Sequence, residues 1–220
     1  MQLCEQYRPR TWAEFVGQPK AVALVRRVMG RPGFGEGAGE CFWISGPTGT
    51  GKTTLAQLIA RELGVEPGPG WQWTELDGVG CTVETVRNLQ ARTLAAGLFG
   101  HVWQVFIVNE AHAMTSRAVQ AWLTLLEHLP ARWLVVFSTT ESGDLFGNFS
   151  SPLFDRCTQV RFTNQGLAPA MAERAREIAQ AESLDGRPPA AYLRLVKESH
   201  NSMRRVLQRI GEGAMLAQDT

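Results

Sequence analysis

The stretch Cys41-Phe42-Trp43-Ile44-Ser45-Gly46-Pro47-Thr48-Gly49-Thr50-Gly51-Lys52-Thr53-Thr54-Leu55 decides how the rest of the 220-residue chain is read. The run Cys41–Ser45 reads as a buried strand. Gly46 to Thr53 then match G-x-x-x-x-G-K-[ST] in full. Leu55, Leu58, Ile59 and Leu63 follow on one helical face, with Gly64 as a stop. In a strand, glycine-rich turn and helix of this kind, backbone N–H groups curl around phosphate oxygens, and the positive end of the helix points at the same place. Gly46, Pro47, Thr48, Gly49, Thr50, Gly51, Lys52, Thr53 and Thr54 are therefore candidate nucleotide-binding positions. Lys52 would reach the β/γ-phosphates and the Thr53 hydroxyl would bind Mg²⁺. Only three of the 22 basic residues are lysines (Lys20, Lys52, Lys197), and one stands here. An arginine would put a wide planar fork where a compact charge is needed.

Working outward, four more runs read as strands: Trp71–Leu76, Val102–Val108, Trp133–Ser138 and Thr158–Phe162. Several are almost wholly apolar, as suits strands covered on both faces, and their spacing is that of βαβ units. Between them, Val83, Val86, Leu89 and Leu94 trace a helix after Gly80. Val119, Trp122, Leu123 and Leu126 trace another, with Thr115 or Ser116 as its N-cap. The pattern predicts an α/β fold, a P-loop parallel five-stranded sheet. After Phe162 the strand pattern stops. Ala168–Glu182, Pro189–Ser199 and Ser202–Leu216 read as three helices, with Met203, Val206, Leu207 and Ile210 on one face of the last. The expected division is residues 1–162, a nucleotide-binding domain, and residues 163–220, a small helical lid. Gly30–Gly39 reads as a flexible loop and Glu66–Gly70 as a turn.

Composition narrows the class. The chain is 44% hydrophobic and 20% charged, which is globular rather than disordered. Its apolar runs are far short of the ~20 residues of a membrane span, and the N-terminus lacks the pattern of a signal peptide. Cys4, Cys41, Cys81 and Cys157 form no C-x-x-C pair, so zinc is not expected and a reducing compartment, the cytoplasm, is. A net charge of +1 argues against strong non-specific binding of polyanions by one chain alone.

A P-loop needs an acidic site at the end of a neighbouring strand. Val105-Phe106-Ile107-Val108-Asn109-Glu110 has that form. Glu110 would orient and deprotonate the attacking water. Asn109 stands where a carboxylate is expected to hold Mg²⁺. Its amide can still accept a hydrogen bond, through a metal-bound water, but brings no negative charge.

Glu5-Gln6-Tyr7-Arg8-Pro9-Arg10-Thr11-Trp12 with Phe15-Val16-Gly17-Gln18 resembles the N-terminal box of AAA+ clamp-loader ATPases. The chain is similar to the replication factor C small subunit and its archaeal and phage counterparts, and more distantly to bacterial DNA polymerase III gamma and delta-prime. The resemblance is collinear over nearly the whole chain. Asn109-Glu110-Ala111-His112 stands at the family's D-E-x-[DH], and Ala118–Glu127 at its A-Q-N-A-L-x-x-x-x-E helix. Ser138-Thr139-Thr140 stands at the sensor-1 strand end, Asp155-Arg156-Cys157 at S-R-C, and Ser202-Met203-Arg204-Arg205 at the sensor-2 D-M-R-R. The resemblance implies that Tyr7, Arg8, Val16 and Gly17 frame the adenine of ATP and that Thr140 senses the γ-phosphate through water. It implies that Arg204 or Arg205, with Arg204 preferred, reaches that phosphate from the lid. Arg156 would act in trans on the ATP of a neighbouring subunit, which makes hydrolysis depend on assembly. The implied partners are other AAA+ loader subunits in a ring, expected to be a pentamer, a sliding clamp and primer-template DNA. Thr82, Arg87 and Arg117 are the candidate DNA contacts by position.

Loader subunits also carry a third, helical collar domain after the lid, whereas this sequence ends at Thr220. The expectation is a collar on another polypeptide, a ring formed through AAA+ contacts alone, or a reduced form. The expected function is an ATPase subunit that opens a sliding clamp and loads it on primed DNA. Two alternatives stand beside it. One is an ATP-binding structural subunit with little or no hydrolysis, which Asn109 motivates. The other is a different AAA+ DNA-directed motor, for branch migration or transposition.

Overall fold

Alternate residues of the central strands serve two different helical layers, and that alternation builds the molecule. A computed structural model describes residues 2–95, 102–140 and 152–217. The elements in chain order are α1 (Leu3–Gln6), α2 (Pro19–Met29), β1 (Glu40–Ser45), α3 (Lys52–Glu62), β2 (Trp73–Asp77), α4 (Val83–Ala95), β3 (Gln104–Asn109), α5 (Ser116–Glu127), β4 (Trp133–Thr139), β5 (Thr158–Arg161), α6 (Ala168–Ala181), α7 (Pro189–Glu198) and α8 (Met203–Gly211). The strands form one sheet in the order β2-β3-β4-β1-β5, every neighbouring pair parallel.

Phe42, Ile44, Val105, Ile107, Leu134 and Val136 point to the face covered by α2 and α3, where they meet Val25, Leu55 and Ile59. Trp43, Phe106, Val108, Val135 and Phe137 point to the other face and meet Val86, Leu89, Val119 and Trp122 of α4 and α5. Each layer removes large apolar side chains from water, and burying one fully stabilises the fold by about 1.5–3 kcal/mol. The sheet is thus covered on both faces, as the apolar runs require. The carboxyl ends of its parallel strands all open toward one edge, where the P-loop follows β1.

The structure departs from the sequence reading in four places. Helix α2 was not expected. Its buried stripe is Ala21, Val25 and Val28, and it starts with Pro19 after Gln18, whose φ is 54°. The last helix is shorter than 202–216: it ends at Gly211, and the chain turns through Gly213, φ 86°, to tuck Met215 against the lid core. The segment 30–39 is packed rather than loose, with Phe34 against Trp103 and Arg31 paired with Glu40 at 3.0 Å. Cys41 and Cys157, 116 residues apart, form a disulfide, because β5 lies beside β1. Cysteine spacing alone carried no sign of this pairing. The side chain of Leu94 lies outside the described residues.

Past β5, α6, α7 and α8 pack around Ala175, Ile178, Tyr192, Val196, Val206 and Ile210. Leu3, Cys4 and Tyr7 of the N-terminal segment join that cluster. The side-chain amide of Gln18 donates to the Thr163 carbonyl (2.7 Å) and accepts from the Thr163 N–H (3.1 Å). One side chain thus clasps the strand where sheet gives way to helices.

Candidate nucleotide-binding cleft

Between the P-loop and helices α6 and α8 lies a cleft of about 1090 Å³, counting the space open to solvent at its mouth. One wall is the P-loop, Thr48 to Thr54. A second is the N-terminal segment, with Tyr7, Arg8, Phe15 and Val16. The third is helical, with Leu167, Met171, Arg174, Met203, Arg204 and Leu207. Glu110 closes the inner end. Arg204, rather than Arg205, is the member of that pair that lines it.

The P-loop is held open by its own chemistry. The buried Lys52 ammonium donates to the carbonyls of Gly46 (2.7 Å) and Pro47 (3.0 Å). Burial pushes its pKa below the ordinary lysine value; Glu110 opposes that shift and Arg204 adds to it. The ammonium is thus short of negative partners, which phosphate oxygens would supply. Gly49 has φ +78°, and a Cβ there would collide with Ser202 at the start of α8. The loop and the lid helix approach so closely that glycine is required.

Asn109 ends β3 and Glu110 follows it. The Asn109 amide oxygen accepts from the hydroxyls of Thr53 (3.1 Å) and Ser138 (3.1 Å), and its NH₂ donates to Glu75 Oε1 on β2 (2.6 Å). Glu110 sits in the left-handed region, φ 49°, a costly conformation for a residue with a side chain. Thr140 donates to Glu110 Oε2 (3.3 Å), and His112 Nδ1 lies 3.4 Å from the same oxygen. Gly78 is packed so tightly on the Glu110 carbonyl that a side chain there would not fit. The donors around Thr53 are all oxygen: a hydroxyl, an amide carbonyl and carboxylates. That set suits a hard cation of the Mg²⁺ type, which takes few protein ligands and completes its shell with phosphate and water.

The remaining candidates are divided between the cleft and other parts of the surface. Gly17, φ 87°, abuts Leu167 rather than lining the cleft. Tyr7 lines it, yet its hydroxyl donates to Glu182 at the end of α6 (2.6 Å), which raises the tyrosine pKa. Arg156 lies apart from the cleft, bound to Glu127 (2.7 Å) and to the Pro152 carbonyl (3.0 Å). Thr82 caps α4 by accepting from the Thr85 N–H (3.2 Å). Arg87 and Arg117 are exposed in the second turn of α4 and the first turn of α5.

Residues 42–165 match the family described as "ATPase family associated with various cellular activities (AAA)". The chain belongs to the AAA family. Among its relatives is the replication factor C small subunit 1 of Pyrobaculum arsenaticum, 31% identical over 92% of this chain and 59% of that protein. Another is the DNA polymerase III subunit gamma/tau of Mycobacterium tuberculosis, 30% identical over 64% of this chain and 27% of that protein. The AAA chain therefore spans about three fifths of the first relative's length and about a quarter of the second's. Among solved structures, the RuvB Holliday junction branch migration motor of Thermotoga maritima superposes with a TM-score of 0.69 at 22% identity, covering 93% of this chain and 64% of that one. That likeness is one of fold.

In this AAA chain sequence reasoning left Arg174 and Glu182 unmarked, and gave Glu75 and Ser138 no contact with Asn109. Glu75 and Asp77 share a strand face by simple alternation, but their partner strand is set by the sheet order. Nothing local in the sequence marks Glu182 as the partner of Tyr7, 175 residues away.

Proposed function

We propose that the chain is an ATP-hydrolysing subunit of a DNA polymerase sliding-clamp loader, working in the cytoplasm in a ring of five AAA+ subunits. Residues 1–162 act as the nucleotide-binding unit and 163–220 as its lid. The observation that carries this reading is the three-walled cleft, which joins the N-terminal box, the P-loop and lid residue Arg204 in one site. The relatives named for replication factor C and DNA polymerase III support the clamp-loading assignment.

In the proposed mechanism Tyr7, Arg8 and Val16 line the adenine end of the cleft, and Gly17 backs it by packing on Leu167. P-loop amides and Lys52 bind the phosphates, exchanging the Gly46 and Pro47 carbonyls for phosphate oxygens. Thr53 and Asn109, through water, would hold Mg²⁺, which offsets charge on the β- and γ-phosphates when bound. Glu110, released from Thr140, takes a proton from the attacking water. Thr140 is then free to turn toward the γ-phosphate, and Arg204 closes the lid on it. Arg156 leaves Glu127 to reach the nucleotide of a neighbouring subunit. Arg87 and Arg117, exposed near the starts of α4 and α5, would hold primer-template phosphates, with Thr82 at the α4 N-terminus.

The test is steady-state ATP hydrolysis with the cognate sliding clamp and primed DNA. Stimulation by both, lost in Glu110→Gln, supports the reading. Tight ATP binding with no hydrolysis in any combination favours a structural subunit that only donates Arg156, the role that Asn109 motivates. Absence of clamp binding in ATP favours another AAA+ DNA motor.

A further inference from the structure

We infer that Glu75 supplies, from the neighbouring strand, the negative charge that Asn109 lacks, and so sets the divalent-cation affinity of the nucleotide site. The inference rests on the ATP–Mg²⁺ reading above. It starts from the pairing of β2 with β3. Asp77 lies opposite Asn109 and Glu75 opposite Ile107, so Glu75 is on the same sheet face as Asn109, one pleat back. Its Oε1 accepts from Asn109 Nδ2 at 2.6 Å. The amide oxygen is engaged on its other side by Thr53 and Ser138. Three bonds thus fix which way the amide points, since flipping it would set an NH₂ against two hydroxyl donors and an oxygen against a carboxylate.

This arrangement separates two duties that one aspartate would combine. By accepting the Thr53 proton, Asn109 leaves the lone pairs of that hydroxyl turned outward, toward a cation. An amide does this as well as a carboxylate. What it omits is charge, and the Glu75 carboxylate brings charge to within one hydrogen bond. A charged acceptor on the NH₂ also polarises the amide, drawing negative density onto the oxygen that faces Thr53. The surrounding basin holds Arg8, Arg10, Arg61 and Arg204. Arg8 is paired with Glu5 (2.6 Å) and Arg61 with Glu66 (3.2 Å), while Glu75 and Glu110 line the same basin as Asn109.

The experiment titrates Mn²⁺ into protein saturated with ATPγS and reads free Mn²⁺ by electron paramagnetic resonance. Nucleotide affinity in EDTA is measured alongside and reports the fold and the metal-free site. Glu75→Gln is expected to weaken Mn²⁺ binding about five-fold, a modest effect because Glu75 is exposed to solvent, with the EDTA affinity unchanged. Asp77→Asn is expected to change little. The charge-swap pair Glu75→Gln with Asn109→Asp moves the charge to β3 and keeps the hydrogen bond, and is expected to return Mn²⁺ binding to within about two-fold of wild type. The inference is overturned if Glu75→Gln binds Mn²⁺ like wild type, if Asp77→Asn matches its loss, or if the swap rescues nothing. Failure of the wild-type protein to take up Mn²⁺ with nucleotide would overturn the ATP–Mg²⁺ reading itself, an outcome distinct from those three.

Discussion

Substituting Gly49 by alanine tests whether the P-loop and the lid touch as described. Gly49 has φ +78°, and a Cβ there would run into the Ser202 hydroxyl and lie 3.0 Å from Ser202 Cβ. The left-handed backbone alone costs an alanine about 1–2 kcal/mol. The overlap adds about 1–3 kcal/mol, because the Ser202 hydroxyl must rotate aside within a buried site and its Cβ still lies 3.0 Å away at the start of α8. Gly49→Ala should therefore lose about 2–5 kcal/mol of stability in urea melts of the nucleotide-free protein. Ser202→Gly should be nearly neutral alone, since that side chain makes no capping hydrogen bond and glycine is a tolerable cap. Combined with Gly49→Ala, it should recover the steric part, roughly half of the loss, as a favourable coupling between the two sites. Losses that simply add, or a Gly49→Ala protein within about 0.5 kcal/mol of wild type, would refute the close approach of loop and lid.

Three further outcomes follow. Arg204→Ala should weaken ATP binding at least ten-fold while barely changing ADP binding, whereas Arg205→Ala should do neither; charge-assisted hydrogen bonds to phosphate are worth about 1.5–3 kcal/mol, and equilibrium titration checks this. The depressed pKa of Lys52 gives two trends of opposite sign. As pH rises through that pKa toward 10.5, the ammonium is lost and ATP affinity falls. Over the same window the unfolded chain holds the proton more tightly than the folded one, so this group's contribution makes the fold more stable; binding titrations and melts across that range should diverge. Reducing the Cys41–Cys157 disulfide reopens a 116-residue loop, for which chain entropy predicts a loss of about 4–5 kcal/mol; urea melts with and without reductant, and of Cys157→Ser, should agree in showing a loss of that order.

The sheet and the P-loop were legible because they depend on local signals. Trp133–Ser138 is apolar without a break, which only a strand covered on both faces tolerates, and Gly46 to Thr53 is a contiguous motif. Helix α2 also carried a signal, apolar residues at 21, 25 and 28 behind Pro19, but a short element beside a glycine-rich segment is easily passed over. Helix α8 falls short of the expected 202–216 because it ends at Gly211 and the backbone then turns through Gly213, whose φ is 86°. What sequence order could not supply was adjacency. Glu75 meets Asn109, Cys41 meets Cys157, Tyr7 meets Glu182 and Gln18 meets Thr163 only once the strand order β2-β3-β4-β1-β5 and the packing of the terminal helices are in place. The site residues taken from a contiguous motif cluster as a unit. Those contributed by distant elements emerge from the fold.

The central claim is that this AAA chain hydrolyses ATP to act on a sliding clamp, and stimulated turnover tests it most directly. The measurement is ATP hydrolysis by wild-type, Lys52→Ala and Glu110→Gln proteins, each alone and with clamp and primed DNA. The account predicts wild-type turnover that rises with both partners. Glu110→Gln should lose at least ~100-fold of that turnover while still binding ATP, and Lys52→Ala should bind it poorly. Wild-type turnover no higher than that of Lys52→Ala, with clamp and DNA both present, would contradict it.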